Sequence, residues 1–186
     1  MNLLELFEDA IKRKIKLYDN IYLEEGESAH IYGEPYCGKT TLCFNIIKNN
    51  PHKKIAYVQS EKLEQRYLQK LYTLSKYVYL VDLNCSRTLS LPQILQLIPI
   101  DVIIVDSITA LYAADDNDMI AQLLNTITTK NIFAVYVSQM REFNKKEFYE
   151  HQKTLNYFAR RIKVEKVNDY MILNKKHKIK FDSIWN

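Results

Sequence analysis

The chain has 186 residues, a formal net charge of +4 at pH 7 and 47% hydrophobic residues. This length suffices for a buried α/β core, and we expect one domain over residues 1–186. The sequence has no apolar run of about 18 residues, which argues against a membrane-spanning helix. The acidic start, Met1-Asn2-Leu3-Leu4-Glu5, does not resemble a secretory signal. Together with three cysteines that lack metal-ligand spacing, it favours a cytoplasmic protein with reduced thiols and no membrane contact.

Taken in order, the residue patterns predict alternating helices and strands. Apolar residues at helical spacing predict a helix over 2–15, within a helical N-terminal segment at 1–20. Further helices are predicted at 39–49, 61–75 (with Ser60 as N-cap), 91–98 and 117–129. Strands are predicted at 28–32, 54–58, 77–83, 102–105 and 132–137, after a turn at 23–26. This alternation predicts an α/β fold with a mostly parallel, twisted sheet and helices on both faces.

The last part of the chain has a different pattern. Residues 158–167 and 170–181 alternate apolar with basic residues, which predicts antiparallel strands joined at the Asn168-Asp169 turn. Residues 1–140 hold 14 Lys/Arg against 16 Asp/Glu, whereas residues 141–186 hold 12 against 6. A basic C-terminal region of this kind is either a footprint for nucleic acid or an ordinary solvated face.

One segment carries a recognisable chemical motif. Residues 33–40 fit the G-x-x-x-x-G-K-[ST] phosphate-binding loop, between a predicted strand and a predicted helix. Backbone N–H groups of such a loop and the helix N-terminus favour phosphate oxygens. Lys39 would reach the terminal phosphates, and the Thr40 hydroxyl would bind Mg²⁺. A glycine turn followed by a chance Lys-Thr is the alternative. The predicted nucleotide-binding residues are Gly33, Glu34, Pro35, Tyr36, Cys37, Gly38, Lys39, Thr40 and Thr41.

Three polar residues follow predicted strands, at the sheet edge where ligands bind in α/β folds. Asp106 fits the acidic partner of a Mg²⁺ site, although an acid that caps a strand end is the alternative. Glu61 is a candidate for activating a water molecule, or simply an acid that favours a helix N-terminus. Gln139 is a candidate γ-phosphate sensor, or an ordinary polar strand end.

Several of these segments resemble the RecA/RadA recombinase family, and are most similar to short archaeal paralogs of the RadB type. The similar segments are 33–42, 105–112, 56–61, 137–139 and 175–177. The resemblance implies a RecA-like P-loop NTPase core that binds ATP together with Mg²⁺, the ion being held by Thr40 and Asp106. It also implies that Glu61 activates water and that Gln139 senses the γ-phosphate.

The resemblance further implies a role beside a main recombinase or other repair proteins in homologous recombination and DNA repair, with weak ATP hydrolysis. A KaiC-like regulatory module without a DNA role is the alternative from the same fold. A third possibility is an interaction subunit that no longer binds ATP.

Two partner contacts are expected on the same basis. Arg141, Lys145 and Lys146 lie where the family places a DNA-binding loop, so single-stranded DNA is a candidate partner. An amphipathic helix over 145–153 with a solvated charged face is the alternative. Phe7 and Ala10 match the Phe-x-x-Ala motif by which family members self-associate, whereas core packing of Phe7 would explain the same residue.

Overall fold

The computed structural model describes most of the chain. The backbone of residues 117–120, 141–143 and 146–149 is described without their side chains. The described ranges are 14–60, 63, 65–82, 90–108, 117–143, 146–149 and 160–181. Glu61, Lys145, Phe7, Ala10 and Cys85 therefore lie outside the described residues.

The described ranges contain strands and helices in the alternation that the sequence predicts. The strands are β1 Lys14–Tyr18, β2 Ile21–Glu24, β3 Ser28–Gly33, β4 Ile55–Gln59, β5 Val78–Asp82, β6 Val102–Asp106, β7 Phe133–Phe143, β8 Lys146–Tyr149, β9 Arg160–Val167, β10 Tyr170–Leu173 and β11 His177–Lys180. The helices are α1 Lys39–Asn49, α2 Gln65–Leu74, α3 Leu91–Leu97 and α4 Asn117–Thr129. Both α1 and α4 have the predicted bounds. In the part of the chain described, no helix is long and apolar enough to span a membrane.

The main sheet has the strand order β11-β10-β9-β3-β7-β6-β4-β5. All pairs from β9 to β5 are parallel, whereas β10 and β11 are antiparallel additions at one edge. The predicted fold class, a mostly parallel sheet with antiparallel strands at the C-terminus, is confirmed. Because the parallel strands share one direction, their carboxyl ends meet at one edge of the sheet.

Helices cover both faces of this sheet, as alternation along β4 makes clear. Ile55 and Tyr57 pack in one apolar cluster with residues of α1 and α2. Ala56 and Val58 pack in a second cluster with residues of α3 and α4. Successive side chains of a strand point to opposite faces, so the two clusters are the two sides of the sheet.

The predicted N-terminal helix is wrong where the structure can test it. Residues 14–18 form β1, which pairs antiparallel with β2. In this segment Ile15 and Leu17 are buried while Lys14 is exposed, a period of two that a strand satisfies and a helix does not. The Asn50 side chain accepts the backbone N–H of Lys16 at 2.9 Å and donates to the Lys16 carbonyl at 2.8 Å. The hairpin is thereby fixed to the end of α1.

The predicted N-cap at Ser60 stays a prediction, because the described part of the second helix begins at Gln65; the Ser60 hydroxyl accepts the backbone N–H of Ser107. Three other predicted elements differ from the structure. Strand β7 continues past the predicted end at residue 137 to Phe143. The predicted strand over 170–181 is broken by a turn in which Asn174 and Lys175 have φ values of 50° and 60°. Residues 146–149 form β8 against the extended end of β7, so a helix over 145–153 is excluded there.

Candidate nucleotide-binding site

The phosphate-loop motif connects the end of β3 to the start of α1. Gly38 is the N-cap of α1 with φ 104°, a left-handed conformation that favours glycine. A side chain on Gly38 would come within 2.7 Å of Phe181 Cε1 and 2.8 Å of Met171 Sδ, and one on Gly33 would strike the carbonyl oxygen of Val164. Both glycines are therefore also required by the close approach of the C-terminal strands, which sequence reasoning did not anticipate.

The Lys39 ammonium lies within this loop. Its side chain is 9% exposed, and Nζ donates to the carbonyl oxygens of Gly33 at 3.0 Å and Glu34 at 2.6 Å. No carboxylate pairs with it among the described residues. The positive charge is therefore held beside the loop backbone by neutral acceptors, where its field favours an anion.

Two other loop residues, Tyr36 and Cys37, differ in their exposure to solvent. Tyr36 has φ 61° and a side chain that is 95% exposed. Cys37 is buried, and its burial raises the pKa of the thiol against the opposing effect of the Lys39 charge. Cys37 and Cys43 are both free, buried thiols, as the sequence predicts.

Asp106 lies beside Thr40, as the predicted metal site requires. Thr40 Oγ1 donates to Asp106 Oδ2 at 2.7 Å. The two residues come from the start of α1 and the end of β6, 66 positions apart in the chain. A hydroxyl and a carboxylate are oxygen ligands of the kind that Mg²⁺ prefers, so these residues fit that ion. Among the described residues, no cluster of three or more His, Cys, Asp or Glu could hold a metal by itself.

A second hydroxyl, which sequence reasoning missed, also reaches Asp106. Tyr57 OH donates to the same oxygen, Oδ2, at 2.7 Å. Burial, and next the negative charge of Asp106, raise the pKa of Tyr57 well above its usual value, so the phenol stays a neutral donor. The tyrosine lies in an apolar strand sequence, Ile-Ala-Tyr-Val-Gln, where only the neighbouring strand reveals its partner.

Gln139 and the residue before Glu61 lie at the same edge of the sheet. Gln139 is directly in register with Gly33 on the adjacent strand. Ser60, which precedes Glu61, donates its backbone N–H to the Asp106 carbonyl oxygen at 2.9 Å. Arg141 and Lys146 are described by backbone alone, in the hairpin of β7 and β8.

The sequence matches no known protein-family model and no curated protein. Its structure is similar to a KaiC-like protein from the hyperthermophilic archaeon Pyrococcus horikoshii, with 14% identity, a TM-score of 0.59, and coverage of 85% of this chain and 83% of that one. It is also similar to a RadB recombinase, with 19% identity, a TM-score of 0.58, and coverage of 84% and 83%. At these identities the likeness establishes the fold. The chain has the RecA-like α/β core that both proteins share.

Proposed function

We propose that this protein binds ATP with Mg²⁺ at the edge formed by the 33–41 loop, Thr40 and Asp106. The observation that carries the proposal is the 2.7 Å contact of Thr40 with Asp106, next to Lys39, a buried cation whose Nζ donates to carbonyl oxygens of the loop. Lys39 would neutralise the terminal phosphates, while Thr40 and Asp106 would hold the ion. The ion, when bound, supplies positive charge to the phosphate oxygens.

The proposed biological role is that of a RadB-type recombinase paralog in homologous recombination and DNA repair. The shared fold with a RadB recombinase and the basic charge of residues 141–186 support this role. Single-stranded DNA and a main recombinase, or other repair proteins, are the proposed partners. We also propose a cytoplasmic location, from the reduced thiols and the acidic start of the sequence, and an archaeal source, from the resemblance to archaeal paralogs.

A KaiC-like nucleotide-binding module without a DNA role is the second candidate. It is supported by the similar coverage and TM-score of the KaiC-like structure. The two candidates differ in their response to DNA. A recombination protein should bind single-stranded DNA with an affinity that falls steeply as salt rises, because bound counterions are released. A protein that binds ATP but shows no such DNA binding supports the second candidate.

Titration with labelled ATP and Mg²⁺, with and without single-stranded DNA, tests the nucleotide site. Lys39→Ala should greatly weaken Mg²⁺–ATP binding and leave the fold intact, because the ammonium is replaced by a methyl group. Lys48→Ala, in the last turn of α1, is the matched control and should bind as the parent does. Unchanged ATP affinity in a folded Lys39→Ala variant would remove the assignment.

Weak ATP hydrolysis is proposed to depend on Glu61 and Gln139. Glu61→Gln should keep ATP binding and lose most hydrolysis, since an amide cannot take a proton from water. Gln139→Ala should reduce the difference between ATP-bound and ADP-bound states in protease sensitivity. A parent rate equal to background would mean that neither residue is catalytic.

Self-association through Phe7 and Ala10 is the remaining proposal. Deleting residues 1–10 and measuring mass in solution tests it. If the shortened protein is stable but no longer self-associates, the motif is supported. If it is an unstable monomer, core packing of Phe7 is supported instead.

A further inference from the structure

Strand β4 is buried along its whole length and borders the proposed metal site. Tyr57 faces the α1 side of the sheet, and Gln59, two residues further, faces the same side. Asp106 has the same orientation at the end of the neighbouring strand, because Val102 and Ile104 lie in the same cluster. Gln59 is in direct register with Asp106, which places their Cα atoms about 4.8 Å apart.

Tyr57 holds the Asp106 carboxylate from within the core. It donates to Oδ2, the oxygen that Thr40 also contacts. If Thr40 bound an ion through its hydroxyl oxygen and gave up its hydrogen bond to Asp106, the hydrogen bond from Tyr57 would still orient the carboxylate. A phenylalanine would fill the same space without that bond.

Gln59 has a buried acceptor for which the described part of the chain supplies no donor. Its side chain is 3% exposed, and among the described residues nothing donates a hydrogen bond to Oε1. Its register partners, Asp106 and Asp82, carry carboxylates that are themselves acceptors. A buried acceptor of this kind calls for a water molecule or an ion-bound group as donor.

We propose that Tyr57 and Gln59 are positioning residues for the Mg²⁺ of the nucleotide site. Tyr57 orients Asp106, and the Gln59 side-chain oxygen accepts a hydrogen bond from a water bound to the ion. Mg²⁺ in proteins usually keeps several of its waters, and these need acceptors. The inference rests on the proposed ATP site, and it concerns the affinity for the ion rather than for the phosphates.

The test measures binding of fluorescent mant-ADP with saturating Mg²⁺ and with EDTA. In EDTA, Gln59→Leu and Tyr57→Phe should bind mant-ADP as tightly as the parent, because the phosphate loop is unchanged. With Mg²⁺ their affinities should fall about 10–100-fold below the parent, the usual effect of losing a group that orients a metal site. Gln59→Leu should also raise the Tm in EDTA, because it removes the unused buried acceptor.

Tyr136→Phe is the matched control, since Tyr136 is a buried tyrosine on the opposite face of the sheet. It should leave both mant-ADP affinities unchanged. If Gln59→Leu is unstable, Gln59→Met offers an unbranched side chain of similar length. If Gln59→Leu and Tyr57→Phe show the same Mg²⁺-dependent increase in mant-ADP affinity as the parent, this inference is wrong, whereas the proposed ATP site is unaffected. A parent that does not bind mant-ADP in either condition overturns the proposed function, and this inference with it.

Discussion

Tyr36 combines a left-handed backbone with a side chain that lies almost entirely in solvent. A non-glycine residue in that region carries a steric cost of about 1–2 kcal/mol. Because the ring is exposed to solvent, it contributes no burial free energy that could offset this cost. The residue lies at the centre of the phosphate loop, whose backbone N–H groups must point inward to hold an anion. The strain therefore falls on the segment that the proposed function uses.

We predict that Tyr36→Gly raises the affinity for Mg²⁺–ATP several-fold, because glycine adopts this conformation without steric cost. The change in unfolding free energy should stay within about 1 kcal/mol, since glycine also makes the unfolded chain more flexible. ATP titration and urea unfolding measure the two effects. Tyr36→Ala is the control, because it removes the ring and keeps the Cβ. Equal gains for Ala and Gly would show that the ring, and not the backbone, limits binding.

At the scale of elements, the hairpin of β7 and β8 extends beyond the strands on either side of β7. Gln139 of β7 is opposite the last residue of β3, and the pairing with β8 begins at Met140. In this ladder Arg141 is opposite Phe148, and Lys146 is opposite Phe143. The hairpin thus brings basic and aromatic residues together directly after the proposed γ-phosphate sensor, a combination that suits unpaired bases and their phosphates.

We predict that replacing Arg141, Lys145 and Lys146 together by alanine weakens binding to single-stranded DNA and flattens its dependence on salt. The reason is that fewer phosphates are neutralised and fewer counterions released. Fluorescence anisotropy across a salt series measures both quantities. Replacing Lys175, Lys176 and Lys178 removes the same charge from the C-terminal edge and is the matched comparison. If only this second variant loses affinity, β11 and its turn form the DNA surface.

At the scale of the whole molecule, a buried histidine joins two central strands. His30 of β3 is 1% exposed, and its Nε2 shares a hydrogen bond of 2.6 Å with Ser138 Oγ of β7. Burial, assisted by the charge of Arg161, lowers the pKa of His30 to about 4. The residue is therefore neutral at pH 7, and it fixes the position next to Gln139.

This histidine predicts how the stability of the fold depends on pH. The unfolded chain, with a His pKa near 6.5, binds a proton between about pH 6.5 and 4 that the folded protein does not. Stability from His30 is thus complete above pH 6.5 and is lost as the pH falls to about 4, a change on the order of 3 kcal/mol.

Urea unfolding at about pH 7 and pH 4.5 measures this change. His30→Gln keeps a hydrogen-bonding side chain and should flatten the dependence. His52→Gln should change it less, because His52 is exposed and only partial burial, with the Lys53 charge, lowers its pKa. An unchanged dependence in His30→Gln would assign the effect to other groups.

The sequence alone determined the elements and motifs that local patterns specify. The bounds of α1 and α4, the phosphate-loop motif and the polar end of β6 all follow from periodicity and turn chemistry over a few residues, whereas β7 continues past Gln139 to Phe143. The same local patterns are sufficient to predict the contact between Thr40 and Asp106, because parallel strands present their carboxyl ends together.

Most other contacts between distant residues were decided only by the tertiary structure. The β1–β2 hairpin, the parallel insertion of β9 beside β3, and the packing of Gly38 against Met171 join segments far apart in the chain. Tyr57 and Gln59 likewise acquire a role only because β4 is placed next to β6. Strand order depends on the apolar surface that segments distant in sequence bury together. The periodicity of one segment does not show which other segment it will pack against, so strand order could not be predicted from it.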